Sequence, residues 1–225
     1  MILAHLGVSE IYLEKLEIDD FNLAFYMFEL ININKSKPYA LFSKHLDNAL
    51  LKKQDAIDAI SISSFDRNKN IVDSRYVNLK YIIEDKWVFF SNYKSEKASQ
   101  FLSHNQIAAS FFWPSTNIQI RMRAIIDKID AEFSDMHFQK RQKKKNALAV
   151  SSFQSSRIAS YKLVQENYIK TLSDEGLIQE RPSYWGGYSF VPFYFEFWEG
   201  HESRINKREV FNKINSSWKQ LYLQP

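Results

Sequence analysis

The chain is predicted to fold as a mainly β protein, an antiparallel barrel of one large domain with helices at its periphery. Three observations carry this expectation. Several segments alternate apolar and polar residues with the period of two that gives a strand one buried face. Turn-forming stretches join strand to strand, while every long connection carries a helix. A chain of 225 residues with 45% hydrophobic and 16% aromatic residues can fill one such core.

Residues 1–37 are read as an N-terminal arm or helix, in which Leu13, Leu16, Phe21, Leu23 and Phe28 fall at helical spacings. Residues 38–225 form the single main domain. Pro38 suits an early helical position, and Leu41, Phe42, His45, Leu46, Ala49 and Leu50 make an amphipathic stripe ending near Lys53. His45 reads as a packed histidine on that stripe. A strand at 59–65, the turn DRNKN at 66–70 and a strand at 75–83 make a hairpin. Glu84 and Asp85 turn the chain into a strand at 87–91. Ser95 can cap a helix whose Ala98, Phe101 and Leu102 share a face. The apolar run 107–113 stops at Pro114, and 118–129 alternates, with Ile118, Ile120, Met122, Ala124 and Ile126 on one face.

Asp130 can cap the next helix, where Phe133, His137 and Arg141 lie one above another. The stretch 151–157 is polar and turn-like, and 160–173 is a helix with Val164, Tyr168 and Leu172 on one side. RPSYWGGY, residues 181–188, reads as a loop because Pro182 and the Gly186–Gly187 pair break either periodic structure. Phe193, Phe195 and Phe197 alternate through a strong strand, and WKQLYLQP closes the chain as another. The total is about seven strands and three or four helices.

Composition narrows the functional classes. The absence of cysteine excludes disulfides, thiolate metal sites and a cysteine nucleophile, and fits a cytoplasmic protein. No metal is expected. The first residues lack a basic leader and meet acidic residues within ten positions, so no signal peptide is expected. No apolar run is long enough for a transmembrane helix, and no membrane partner is expected. The net charge of +4 suits nucleic acid or a small phosphorylated ligand. Its local excess is KRQKKK, residues 140–145, which reads as a solvated face or loop. No recognition helix or finger accompanies it, and the aromatic residues do not interleave with it. Nucleic acid is therefore not expected as a partner.

The stretch 73–113 holds the candidate chemistry. Arg75 and Lys80 lie on one strand, Ser91 and Asn92 end the next, and Lys97 falls in the first turn of the following helix. Cationic, hydroxyl and amide donors at a strand end and a helix N-terminus suit a phosphate. The same residues equally describe a strand with solvated charged ends.

In sequence order the chain also carries SRYVNLK, FFSNYKSEKA, FFWP with Gln119 after it, QSSR at 154–157, YWGGY, EFWEG and the terminal WKQLYLQP. This series resembles the pyridoxamine 5′-phosphate oxidase family from Pro38 to the end of the chain. The resemblance implies an FMN-binding split β-barrel of antiparallel, Greek-key type, working as a homodimer with FMN at the interface. It implies that Arg75 and Lys97 contact the FMN phosphate, that Phe90 and Ser91 line the flavin, and that Tyr76, Val77, Lys80 and Glu96 also belong to the cofactor site. Gln119, Gln154, Ser155, Trp198 and Arg208 would complete the cofactor site, some from across the dimer. Lys80, His137, Arg141, Lys145, Arg204 and Asn206 would hold a small phosphorylated substrate, with Arg204 and Asn206 beside the reacting carbon. The implied activity is the oxidation of pyridoxamine or pyridoxine 5′-phosphate to pyridoxal 5′-phosphate, a step of pyridoxine biosynthesis.

The chain departs from the family pattern at several of these positions. Glu96 stands for an arginine, His137 for a tyrosine, Lys145 for a serine and Asn206 for a histidine. Leu148 and Val150 replace a glycine–tryptophan pair. The alternative reading is therefore an FMN-dependent oxidoreductase on the same scaffold with a different substrate.

Overall fold

The computed structural model describes residues 28–225. The expected helical spacing of Leu13, Leu16, Phe21 and Leu23 lies outside the described residues. Nine strands and five α-helices follow. They are β1 (Glu29–Ile31), α1 (Lys37–Leu51), β2 (Ala59–Asp66), β3 (Ile71–Ile83), β4 (Lys86–Asn92), α2 (Glu96–Ser103), β5 (Gln106–Trp113) and β6 (Ile118–Lys128). Then come α3 (Ala131–Lys140), α4 (Lys143–Ser151), α5 (Tyr161–Ser173), β7 (Trp185–Glu199), β8 (Lys207–Ile214) and β9 (Ser217–Leu223).

Strands β3, β2, β5, β6, β7 and β4 pair in that order, and β4 pairs back to β3, so the ring closes. All of these pairings are antiparallel. Strand β7 makes the barrel split. Its first half pairs with β4 and its second half with β8, while β6 pairs along its other edge from Tyr188 to Glu199. A register shift between Arg123 and Ala124 of β6 falls beside Pro192 and Tyr194, where the two halves diverge. Strand β1 adds parallel to β3.

The alternation predicted for 118–129 is present, with Ile118, Ile120, Met122, Ala124 and Ile126 all buried. Helix α1 adds Tyr39, Phe42, Leu46 and Ala49 to the core. Trp87 lies among Phe42, Phe190, Phe111 and Phe195, with ring centroids 4.6 to 6.2 Å away. His45 is packed as expected, stacked on Phe197 at 5.6 Å.

Four sequence readings need correction. RPSYWGGY is not a loop throughout, because Trp185–Glu199 is one 15-residue strand containing both glycines. The glycines are there for close approach. A Cβ on Gly186 would collide with the Tyr93 hydroxyl and ring carbon, and one on Gly187 with the Ile129 side chain. Gly186→Ala should therefore lower stability by about 1–3 kcal/mol, read as a lower denaturant midpoint at unchanged slope; an unshifted midpoint would contradict the packing account.

The basic run is solvated as read, with Lys140, Gln142, Lys143, Lys144 and Lys145 exposed, but it is not a loop throughout, and the helix that begins within it was not expected. Arg141 ends α3, and Lys143 begins α4, whose Asn146, Ala147 and Ala149 are buried. Gln142 at its cap gives no capping signal, and the apolar residues 147–150 are contiguous rather than spaced by three and four. Strand β8 was missed because Glu209, Val210 and Phe211 are consecutively buried, which erases alternation. Ser95 occupies the cap position of α2, but its hydroxyl donates to the Asn92 carbonyl at 2.7 Å instead of bonding a helix N–H.

Candidate functional site

A cavity of about 910 Å³ lies beside β3 and β4 and is bounded by residues of α3, α4 and the loop after it. Of the residues singled out in the sequence, Arg75, Tyr76, Val77, Lys80, Phe90, Ser91, Glu96, Lys97, His137, Arg141, Lys145, Gln154 and Ser155 line it. Its cations fall into two groups. Arg75 and Lys80 are five residues apart on β3, which separates them by roughly 16 Å along an extended strand.

A bulge adds Tyr81 to the cavity wall beside Lys80. The β3–β4 register shifts between Leu79 and Tyr81, so Leu79 and Ile82 are both fully buried. The extra residue re-aims the chain, and Lys80 and Tyr81 both reach the cavity. Without it Tyr81 would keep the parity of Leu79 and enter the barrel.

At the first end, Arg75 is fixed from beneath. Its Nη1 donates to Ser64 Oγ at 2.6 Å and to the Ile62 carbonyl at 3.3 Å, and its Nη2 donates to Gln100 Oε1 at 2.8 Å. Gln100 is fully buried on α2 and donates in turn to Asp73 at 2.5 Å. Burial lowers the Arg75 pKa, while nearby Asp73 and Glu96 oppose the shift.

Lys97 is only 7% exposed. Its Nζ donates to Ser91 Oγ at 3.3 Å and Ser95 Oγ at 3.4 Å. No carboxylate lies within ion-pair distance of it among the described residues. Burial, then the Arg75 charge, bring its pKa down to about 8. A buried cation with only hydroxyl partners is suited to receive an anion. The loop after α4 borders this end, with Gln154 Oε1 accepting from Ser91 Oγ and the Asn92 amide at 3.3 Å each.

Glu96 does not approach Lys97 as an ion pair. Its carboxylate pairs with Lys69 of the β2–β3 turn at 3.3 Å, both side chains being more than half or about half exposed.

The second end gathers Lys80, Arg141 and Lys145 around His137. Lys80 Nζ donates to Asp58 Oδ2 at 2.9 Å. The Arg141 guanidinium lies 4.4 Å over the Trp185 ring and donates to Asn146 Oδ1 at 3.3 Å. Burial lowers its pKa to about 10. The Lys145 pKa is also lowered, by burial and then by Lys80 and Arg141.

His137 shares a 2.8 Å hydrogen bond with the Tyr81 hydroxyl. Burial, with Arg141 and the lysines around it, pushes its pKa down to about 3, so it is neutral at physiological pH. Its ring stacks on Phe90 at 3.7 Å and 8°, and Phe90 stacks on Trp185 at 5.3 Å and 14°. A wall of parallel rings, Phe90 with His137 and Trp185, thus lines the cavity and reaches into its second end.

Gln119, Trp198, Arg208, Arg204 and Asn206 are outside this cavity in the single chain. Three of them form one row across the sheet, since Gln119 is paired with Trp198 and Trp198 with Arg208. Directly paired residues project to the same face. Gln119 lines a second cavity of about 410 Å³ on that face. Arg208 donates twice to the buried Glu196 at 2.8 Å and to the Gln224 carbonyl at 3.0 Å. Arg204 and Asn206 belong to the β7–β8 connection. Arg204 is in the left-handed region at φ 61, and Asn206 Oδ1 accepts from the His201 amide at 3.0 Å.

Sequence reasoning missed Tyr81, Trp185, Gln100 and Asp58. Tyr81 needed the bulge and Trp185 the extended β7, neither of which has a local signature. Gln100 and Asp58 act on Arg75 and Lys80 from other elements, so only the fold shows the pairing.

Residues 185–225 match the family model described as the pyridoxine 5′-phosphate oxidase C-terminal dimerisation region. A pyridoxine/pyridoxamine 5′-phosphate oxidase 1 from Hydrogenovibrio crunogenus is 31% identical over 194 residues, covering 85% of this chain and 89% of that protein. A pyridoxine/pyridoxamine 5′-phosphate oxidase from Cytophaga hutchinsonii is 39% identical over 142 residues, 62% of this chain and 66% of that one. Among solved structures, PhzG from Burkholderia lata, in complex with tetrahydrophenazine-1-carboxylic acid, matches at a TM-score of 0.79 and 20% identity. It covers 84% of this chain and 93% of that one, and the likeness concerns the fold. With the split barrel, the terminal match and these relatives together, the chain belongs to the pyridoxine/pyridoxamine 5′-phosphate oxidase family.

Proposed function

We propose that the protein is an FMN-dependent oxidase that converts pyridoxamine 5′-phosphate or pyridoxine 5′-phosphate to pyridoxal 5′-phosphate with oxygen as acceptor. The observation that carries this reading is one cavity lined by two separate cation groups and by a wall of parallel rings. Two flat ligands, each bearing a phosphate, need that arrangement when they lie together.

The residues fit FMN at the first end, where buried Lys97 lacks a carboxylate and Arg75 is held by Ser64 and Gln100. Arg75 and Lys97 would take its phosphate, Ser91, Gln154 and Ser155 would lie beside it, and Tyr76, Val77 and Phe90 would line the ring. When bound, FMN would accept a hydride from the substrate carbon and pass the electrons on to oxygen. The amine substrate then yields aldehyde, ammonia and peroxide with one water consumed, and the alcohol yields aldehyde and peroxide.

At the second end Lys80, Arg141 and Lys145 would hold the substrate phosphate, with neutral His137 as a hydrogen-bonding partner. The row Gln119–Trp198–Arg208 and the loop bearing Arg204 and Asn206 would reach the cofactor from a second copy of the chain. The match of 185–225 to a dimerisation region supports a homodimer with FMN at its interface. Arg204 would orient the substrate and stabilise charge developing at its oxygen or nitrogen.

Glu96 bears on cofactor affinity. It lines the first end, and its ion pair with Lys69 is exposed and separate from Lys97. Glu96→Arg should remove a repulsive charge and tighten FMN binding about tenfold. Flavin titration reads this, and unchanged or weaker binding would contradict the repulsion.

Asn206 favours the second reading, a flavoenzyme on the same scaffold with another substrate. Its carbonyl oxygen is committed to its own loop, and it takes up no proton near neutral pH. Oxidation of pyridoxamine 5′-phosphate should accordingly be slow, with Asn206→His raising the rate by about tenfold. The aerobic assay compares pyridoxal 5′-phosphate and peroxide formed. Equal amounts of the two support the oxidase. Neither product from protein or variant at saturating substrate would move the assignment to another substrate.

A further inference from the structure

We propose that Asp58 is a specificity-determining residue of the second end of the cavity, an internal counter-ion that competes with the ligand's phosphate for Lys80. The inference rests on reading that end as the site of a phosphorylated ligand.

Asp58 lies just before β2 and is 7% exposed, yet it belongs to none of the residues lining the cavity. Its Oδ2 accepts from Lys80 Nζ at 2.9 Å, while its backbone carbonyl accepts from the Leu79 amide at 2.9 Å, next to the bulge. The backbone bond anchors the residue to β3, so the carboxylate is held behind the lysine rather than floating at the surface. Lys145, from α4 on the other side, also senses Asp58, whose charge opposes the effect of Lys80 and Arg141 on it. Arg141 has no carboxylate within ion-pair distance among the described residues.

The three cations are therefore not equivalent. Arg141 faces the cavity with an amide and a ring as neighbours, whereas Lys80 already has an anion. A ligand phosphate must share Lys80 with Asp58 and feel the carboxylate's repulsion across the lysine. Lys80, Arg141 and Lys145 exceed Asp58 by two positive charges, and Lys140 and Glu29, which also line the cavity, offset one another. The balance matches a phosphate dianion without holding it as tightly as the cations would without Asp58. A site with this balance releases a phosphorylated product faster, and product release commonly limits turnover in enzymes. A ligand without phosphate has no quarrel with Asp58. The discrimination is thus one of ligand charge.

The test compares the flavin-loaded protein with Asp58→Asn, which keeps the size and an acceptor for Lys80. Binding of pyridoxal 5′-phosphate, of inorganic phosphate and of pyridoxal is titrated for both. The two phosphate-bearing probes should bind roughly tenfold tighter to the variant, with pyridoxal 5′-phosphate leaving more slowly and pyridoxal unchanged. Equal or weaker phosphate binding would overturn the proposal, and so would a parallel gain for pyridoxal, because that is the mark of a general structural effect. In the unaltered protein, the Lys80 ammonium signal in nitrogen NMR should move on addition of phosphate. No movement at saturation would overturn the proposal even if the variant fails to fold. Tighter phosphate binding in a protein that never oxidises pyridoxamine 5′-phosphate would sink the oxidase reading and leave the role of Asp58 standing.

Discussion

Replacing Lys97 with methionine should weaken FMN binding by ten- to a hundredfold. A charge-assisted hydrogen bond is worth about 1.5–3 kcal/mol, and Lys97 has no carboxylate partner to absorb its loss. The pH dependence gives a sharper form. Burial and Arg75 hold the Lys97 pKa at about 8, below its ordinary value, so the free protein sheds this charge as pH rises through 8. The flavin's phosphate is already a dianion there. Affinity for FMN should consequently fall as pH rises through 8 in the parent protein and stay flat over the same range in Lys97→Met. Flavin fluorescence titrations read both. A parent profile that is flat, or rises, would show that Lys97 does not hold the phosphate.

Arg141→Ala should cost most of the affinity for pyridoxal 5′-phosphate, about ten- to a hundredfold, and leave FMN affinity within about twofold. The guanidinium lies over Trp185 and is tied to Asn146, an arrangement that presents its fork while holding the side chain still. Its lowered pKa of about 10 still leaves it charged at neutral pH. Lys80 is shared with Asp58, so Arg141 carries more of the ligand's charge than its number among the cations suggests. Separate titrations of the two ligands decide the matter. Equal losses for both would mean that the variant has damaged the cavity as a whole and that the two ends are not independent.

Much of the barrel was legible because its strands bury one face. Strand β6 shows this best, since its buried and exposed residues alternate along nearly its whole length. Where both faces are covered the pattern vanishes, as in β8, and where backbone approaches a ring the glycines of β7 imitate a loop. The basic run 140–145 was legible as charge but not as structure. Solvation explains charge in a sequence; only the position of Arg141 just past the end of α3 and of Lys145 on α4, lining one cavity with Lys80, shows that these charges meet.

The candidate site was legible in halves. Arg75, Ser91 and Lys97 are close in sequence, and the resemblance added His137, Arg141 and Lys145, all of which the fold brings to one cavity. Their supports were not legible, since Gln100 and Asp58 come from other elements and contact the functional cations only after folding. The row Gln119–Trp198–Arg208 illustrates a third case. Its members share a face in one chain, but that face is not the cavity, so the single chain does not bring the row to the other candidate residues.

The central claim is that this cavity places a phosphorylated amine or alcohol beside a flavin for hydride transfer. It is tested most directly by mixing the flavin-loaded protein with pyridoxamine 5′-phosphate without oxygen and following the flavin's visible absorbance. The account predicts full bleaching, slow in the parent protein and faster in Asn206→His, with pyridoxal 5′-phosphate formed in equal amount. Absorbance that stays unchanged in both proteins at saturating pyridoxamine 5′-phosphate would contradict it.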